Sequence, residues 1–413
     1  MLYAPAILAG RLVRIAARLR KPGGGSAVPG LVVNRLAPGF LSSTLSGFPG
    51  GLVIVSGSSG KSTTTKMLVA ILEAHGKKIF TNPSTANIAQ GLTSALLERA
   101  SLTGHIDAEI AVLEMDEGHG AAIAPSLSPT VVLLTNVMTD QIDRFHDSEK
   151  VAAMLAKIAG RATQAVVINR DDAMLEQLAT SVSAPVVRYG VSREVLAANP
   201  RGLGYAHQST DRLAAGEGTQ VVAVNGLSAE IVQSGASRSL SLPARGTHYA
   251  VDAAAALSAA QNVLGSSYDP DLAASTISAT APVFGRGEIV TVRGQQVEFV
   301  LVQNPASFQL NVDSLEPGLD QILVAMGSDV RDPSYFWPVD ASPLRSVVTV
   351  SGSKADEIAL QLSYQGVTIG KVDPDLGHAL DEFFALPTPA RGIKTVVFTA
   401  DSMRRTRAHL GLT

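Results

Sequence analysis

The sequence predicts an α/β protein made of two sheet-and-helix units, a larger one followed by a smaller one. Three observations predict it. Strand-like apolar runs alternate with helical patterns from residue 51 to about residue 170. The first of these runs ends in a small-residue turn that carries a lysine and opens a helix. A fresh series of strand-like runs begins near Glu288, after an alanine-dense helical stretch.

The elements justify themselves in order. Residues 1–21 read as a basic amphipathic helix, with Ile7, Leu8, Leu12, Ile15 and Leu19 interleaved with Arg11, Arg14, Arg18 and Arg20. The arginines follow the apolar stretch, the wrong order for a secretory signal. Such a helix packs on its own protein or lies on an anionic membrane surface. Residues 22–30 form a Pro/Gly break. Residues 51–55 then lead to a helix over 61–75, where Met67, Leu68, Ile71 and Leu72 recur at helical spacing. Residues 79–80 lead to a helix over 88–100. Runs at 110–113, 131–134 and 165–168 follow, with a helix at 151–159. From about 181 to 243 the texture changes to short β-like pieces rich in Gly and Ser, which reads as a β-rich insertion over 185–245. The helix over 249–263 resumes the α/β pattern. Residues 297–302, 321–325, 346–350 and 395–399 are the strands expected in the second unit. The division expected is residues 1–45 as helix and linker, 46–288 as the larger domain and 289–413 as the smaller.

Composition bounds the chemistry. With 413 residues, 46% of them apolar and 17% charged, the chain is long enough for two or three domains with their own cores. A net charge of −3 supplies no basic field for nucleic acid. No cysteine occurs, which excludes disulfides, thiolate metal sites and a cysteine nucleophile. No apolar run approaches the roughly 20 residues of a spanning helix.

The turn reads Gly57-Ser58-Ser59-Gly60-Lys61-Ser62-Thr63, a shortened form of the G-x-x-x-x-G-K-[ST] pattern, with Val55 where the first glycine commonly stands. Backbone N–H groups and the positive end of the following helix face a nucleotide's phosphates in such a turn. Lys61 brings a point charge to the terminal phosphates and Ser62 a hydroxyl to Mg²⁺. Use of ATP argues for the cytosol. Glu114 ends the strand over 110–113, where a carboxylate beside a phosphate loop is placed to hold Mg²⁺, with Asp116 and Glu117 as alternatives. The next strands end in Thr135-Asn136, followed by Asp140-Gln141-Ile142-Asp143-Arg144, and in Asn169-Arg170-Asp171-Asp172. The last of these also makes an ordinary helix cap. Arg286, at the junction of the two units, can reach a phosphate when domains close.

These motifs resemble Mur ligases, the ATP-dependent amide-forming enzymes of peptidoglycan synthesis. They come in that family's order: the short loop, Glu114, the Asp140–Arg144 cluster, Asn169–Asp172, Gly246-Thr247-His248-Tyr249 with Asp252, and Gly285-Arg286. More narrowly, the chain is similar to the MurT family, the ligase-like subunits of lipid II isoglutaminyl synthases. That match rests on Gln141 in the acidic cluster and on 302–306 (Val-Gln-Asn-Pro-Ala). It rests also on 329–337 (Asp-Val-Arg-Asp-Pro-Ser-Tyr-Phe-Trp) and on the lack of a UDP-substrate domain before the loop.

The resemblance implies a Mur-ligase-type central P-loop ATPase domain with a smaller Rossmann-like C-terminal domain. It implies ATP-dependent amidation of the α-carboxyl of D-isoglutamate in the lipid II stem peptide, through an acyl phosphate. The ammonia would come from a GatD-type glutaminase subunit, in the cytoplasm, with possible contact of residues 1–21 at the membrane face. It assigns Gly57, Gly60, Lys61, Ser62, Thr63, Asn136, Asn169, Asp172 and Arg286 to the nucleotide, and Ser62 and Glu114 to Mg²⁺. Lys61 and Glu114 are assigned to catalysis. Asp332, with Asp329 as the second choice, would complete the glutaminase's catalytic triad. Many relatives carry a four-cysteine zinc ribbon in the middle domain, and without cysteines no structural zinc is expected here. The family often has lysine where Gln303 stands and asparagines where Tyr249 and Asp252 stand, so contacts at these three positions do not carry over. The alternatives are a Mur- or folylpolyglutamate-type amino-acid ligase without a glutaminase, and a nucleotide-binding regulator without catalysis.

Overall fold

The computed structural model describes residues 3–20, 27–83, 86, 88–138, 147–209, 217–283 and 285–412. Three helices come first: α1 (Ala4–Arg20), α2 (Val28–Leu36) and α3 (Phe40–Leu45). The larger unit then alternates strand and helix. It runs β1 (Leu52–Ser56), α4 (Lys61–Ala74), β2 (Ile79–Thr81), α5 (Ala89–Arg99), β3 (Ile110–Glu114), α6 (Glu117–Ile123) and β4 (Val131–Leu134). After these come α7 (Ser148–Ala159), β5 (Ala165–Asn169), α8 (Ala173–Ala179), β6 (Val186–Val191) and α9 (Arg193–Ala197). The unit closes with β7 (Thr219–Asn225), β8 (Ser228–Gln233), β9 (Ala236–Ser241), α10 (Thr247–Leu264) and α11 (Pro270–Ala279).

Its nine strands lie in the order β2-β3-β1-β4-β5-β6-β7-β8-β9. Pairing is parallel from β2 through β7 and antiparallel across the last two hairpins. Every residue of β1, β3, β4 and β5 is buried, as continuous apolar strands covered on both faces must be. Successive residues serve opposite faces. Val53 and Val55 pack with Met67, Leu68 and the alanines of α10. Leu52 and Ile54 pack with Phe40, Phe80 and Leu96 beneath α1–α3 and α5.

Over the segment read as a β-rich insertion, 185–245, the strands β6 to β9 extend the main sheet to its far edge. The segment's weak signal has a physical cause. The outer strands are half exposed, and β8 alternates exposed and buried residues as an antiparallel strand with one solvated face does. The acidic cluster Asp140–Arg144 lies outside the described residues.

The second unit comprises β10 (Arg286–Val292), β11 (Gln295–Leu301), α12 (Pro305–Ser314), β12 (Ile322–Ala325), β13 (Ser346–Ser351), α13 (Ala355–Tyr364), β14 (Thr368–Asp373), α14 (Leu376–Ala385), β15 (Lys394–Phe398) and α15 (Ala400–His409). Its sheet runs β10-β11-β15-β12-β13-β14, parallel except for the β10–β11 hairpin. Among the described residues no helix is long and apolar enough to cross a membrane.

Candidate functional site

The site grows from the carboxyl ends of β1, β3 and β4. After β1 the chain turns through Gly57 and Gly60, both at positive φ (133° and 81°), which side chains rarely adopt. A Cβ at Gly57 would strike the Thr135 hydroxyl, and one at Gly60 the Asp252 carboxylate. Asn136 fixes the turn from β4. Its Oδ1 accepts from the Ser59 N–H at 2.9 Å, its Nδ2 donates to the Ser59 carbonyl at 3.2 Å, and its carbonyl accepts from the Ser58 N–H. The Ser58 hydroxyl accepts from the Met138 N–H at 3.1 Å. The backbone N–H groups at the start of α4 therefore open onto a rigid cradle suited to an anion.

Lys61 bends over this turn. Its ammonium donates to the Gly57 and Ser58 carbonyls and pairs with Glu117 at 3.3 Å. The second carboxylate oxygen of Glu117 is buried without a partner. Glu114 is buried beside it. Burial and the Glu117 charge push its carboxyl up, while Lys61, the Ser62 hydroxyl and Arg286 pull it down. Asn82 locks Glu114 in place through a reciprocal amide pair, accepting from the Glu114 N–H and donating to its carbonyl, each at 3.0 Å. Asp116, read as a metal alternative, instead caps α6 by accepting from the His119 N–H. The donor set of Ser62 hydroxyl, Glu114 and the unpartnered Glu117 oxygen is all oxygen and anionic, which fits Mg²⁺.

The turn separates two clefts. One is lined by Ser59, Gly60 and Thr63 on the loop side and by Asn136, Tyr205, His248, Tyr249, Asp252 and Arg286 around them. The second unit closes it with Gln303, Ser307 and Asn311. The other opens on the opposite side of α4 and is lined by Ser62, Thr65, Lys66, Asn82 and Glu114. The Thr65 and Thr81 hydroxyls on its wall are buried without partners.

Charge in the first cleft centres on Arg286, at the start of β10, within 3.5 Å of Gln303. Burial lifts the Asp252 carboxyl to about 8, against the pull of Arg286 and the Thr64 hydroxyl. Burial, with Arg286 adding to it, lowers the His248 imidazole to about 4, and its Nδ1 has no partner.

Two residues expected at the nucleotide point elsewhere. Asn169 donates to the Tyr205 hydroxyl at 2.7 Å and accepts from the Asp171 N–H. Asp172 caps α8 and takes the Val137 N–H at 2.5 Å, its carboxyl raised to about 6 by burial. Neither lines the cleft; both brace the β4 and β5 ends that form it. Asp332 lies apart, exposed on the second unit, where it caps the turn Pro333–Phe336. The Ser334 hydroxyl and N–H hold its carboxyl below the usual range. Asp329 accepts from the Thr399 hydroxyl at 2.8 Å.

A phosphate loop at the carboxyl edge of a parallel sheet, a buried acid on the neighbouring strand and a second α/β unit closing the cleft define an ATP-dependent ligase of the Mur type. Residues 55–260 match the Mur ligase middle domain and residues 301–397 the MurT ligase C-terminal domain. The chain thus joins a Mur ligase middle domain to a C-terminal domain of the MurT type. Lipid II isoglutaminyl synthase (glutamine-hydrolyzing) subunit MurT of Streptococcus pneumoniae is 27% identical over 404 residues, 89% of this chain and 88% of that protein. UDP-N-acetylmuramate--L-alanine ligase of Bifidobacterium longum is 31% identical over 270 residues, which span 64% of this chain but only 50% of that enzyme. Among solved structures, the ADP complex of MurF ligase from Thermotoga maritima shares the fold, with a TM-score of 0.65 at 18% identity over 90% of this chain and 81% of that one. Folylpolyglutamate synthase of Mycobacterium tuberculosis, complexed with ADP and AMPPCP, shares it at 0.62 and 18%, over 93% and 99%.

Proposed function

We propose that this chain is the synthetase subunit of a lipid II-amidating enzyme, which converts the α-carboxyl of D-isoglutamate in the stem peptide to an amide with ATP and ammonia. The observation that carries the reading is the union of two parts in one chain: a phosphate loop with Lys61, Ser62 and Glu114 in place, and a C-terminal domain of the MurT type.

The two clefts suit the two substrates. The loop Gly57–Thr63 receives the phosphates: Gly60 and Thr63 line the first cleft, Lys61 lies over the turn and Ser62 faces the second, with Asn136 holding the loop and Arg286 facing the same charge. The second brings the acceptor carboxylate to the Ser62–Glu114 side of the loop. A carboxylate oxygen of the acceptor attacks the γ-phosphorus of ATP and the bond to ADP breaks, leaving an acyl phosphate and ADP. Ammonia then attacks the acyl carbon, phosphate departs with the C–O electron pair, and the nitrogen loses a proton. Lys61 offsets negative charge during the first step. Ser62 and Glu114 would hold Mg²⁺, which neutralises phosphate charge when bound.

The ammonia source is a separate glutaminase subunit of the GatD type. Releasing ammonia from glutamine with a thiol nucleophile needs a cysteine that this chain lacks. Asp332 is exposed and held ionised by Ser334, so it is available to orient a histidine on a partner. Just past its turn, Trp337 and Tyr364 stand 50% and 77% exposed with rings 6.1 Å apart, an aromatic patch of the kind interfaces bury.

The test is amidation of lipid II by the purified pair with ATP and Mg²⁺, scored by mass spectrometry. Lys61→Ala is expected to lose at least about a hundredfold in rate with either glutamine or ammonia. Asp332→Ala is expected to lose the glutamine-driven reaction and keep the ammonia-driven one. Equal loss by both variants with free ammonia would defeat this division of roles.

A further inference from the structure

The outward face of α1 has no place in the chemistry above. The helix packs inward through Ala6, Ile7 and Gly10, the last pressed against Val33 and Leu97. On the other side Leu8, Leu12, Ile15 and Leu19 follow at i, i+4, i+7 and i+11, a single stripe along about 17 Å of helix. They are 49%, 67%, 57% and 83% exposed. Large apolar side chains gathered this way on a folded surface mark an interaction site.

Charge says what covers the stripe. Residues 1–45 carry Arg11, Arg14, Arg18, Arg20, Lys21 and Arg35 and no acid, and the first acidic residue of the chain is Glu73, although the net charge is −3. Among the described residues, Arg14 pairs with Glu98 at 2.8 Å, and Arg11 donates to the Leu97 and Ala100 carbonyls. An apolar stripe within an all-cationic segment complements a surface that is anionic outside and hydrocarbon beneath.

We propose that α1 lies flat on a bilayer containing anionic lipid and holds the phosphate-loop domain against the membrane surface. The inference rests on the reading above that the acceptor is lipid-linked, which places the reaction at that surface.

The test is co-sedimentation of the full chain, with its glutaminase subunit, on vesicles of phosphatidylcholine with and without phosphatidylglycerol. Binding is expected on the anionic vesicles, weaker by about tenfold on phosphatidylcholine alone, and reversed by high salt. The double variant Leu12→Glu/Ile15→Glu, changed only at exposed positions, is expected to lose about tenfold in binding with an unchanged melting temperature. Equal partitioning of wild type and variant overturns the proposal. So does a variant that binds vesicles normally but turns a dimer into a monomer, or releases the glutaminase, since the stripe then belongs to protein. Amidation of a soluble muropeptide separates this proposal from the functional reading: it should proceed equally in both proteins, and its absence from both refutes the function whatever the vesicles show.

Discussion

Asp252 sets the pH behaviour of the nucleotide cleft. Buried against Gly60, it faces Arg286 and the hydroxyls of Tyr189, Tyr205 and Tyr249, and its carboxyl titrates at about 8. The folded protein thus keeps a proton that the unfolded chain releases near pH 4. Between those values the folded state binds more protons, so this residue's contribution to stability falls as pH rises from about 4 to about 8 and then levels off. Nucleotide affinity follows the same proton, because an ionised carboxylate beside the loop repels a polyphosphate. ADP binding is expected to weaken as pH rises through about 8 in the wild type and to stay level in Asp252→Asn. Calorimetric titrations on both sides of pH 8 check this, and a wild type as level as the variant excludes the coupling. Residue-scale chemistry was legible where it is local. Gly57–Thr63 announce themselves because turn, lysine and helix start are contiguous. Asn82 gave no such sign: it matters only through Glu114, 32 residues away in sequence. Tyr205 reaches the cleft by folding alone, whereas His248 belongs to the Gly246–Asp252 motif already visible in the sequence.

At the scale of elements, the strand ends are braced by side chains that the family resemblance assigned to the nucleotide. Asp172 joins α8 to the chain beyond β4 by capping the helix and accepting the Val137 N–H. Asp172→Ala removes the cap and leaves a buried N–H unsatisfied, an expected loss of about 2–4 kcal/mol in unfolding free energy. If bracing is its role, ADP affinity measured well below the melting transition changes less than about threefold, whereas a residue that touches nucleotide would cost tenfold or more. Chemical denaturation and calorimetry on one variant therefore separate the two roles. The central strands were legible because apolar runs such as 131–134 are short and open on β-branched valines, which separates a buried strand from a buried helix. The edge was not. The strands β6–β9 are partly exposed and mix polar residues among apolar ones, and nothing local says that they pair onto β5 as part of the main sheet.

The whole molecule is two α/β units joined at Gly285-Arg286 and facing one another across polar contacts. Arg201 meets Asp313 and Asp340, and Arg245 meets Glu316. Exposed pairs of this kind are worth little, about 0–1 kcal/mol each, so the junction resembles a transient interface more than a shared core. A nucleotide bridging loop and Arg286 adds to so weak a junction, which favours closure on binding. The change of unit near residue 288 is written in the fresh run of strands, but the faces each unit leaves open are not, because exposure belongs to the assembled fold. The patch of Trp337 and Tyr364 is the clearest case. Neither residue lines the nucleotide cleft. Trp337→Ala is thus expected to leave the melting temperature and ammonia-driven amidation unchanged, while the affinity for the glutaminase subunit falls by at least about tenfold, as loss of a buried aromatic anchor does. Glutamine-driven turnover should then recover when the glutaminase is supplied in excess, because the lost step is docking and not chemistry. Asp332→Ala should not recover under the same excess, since there the docked partner still lacks its carboxylate. Titrating the partner against both variants in one assay reads both outcomes, and recovery of Asp332→Ala would move that residue from the partner's chemistry to its docking.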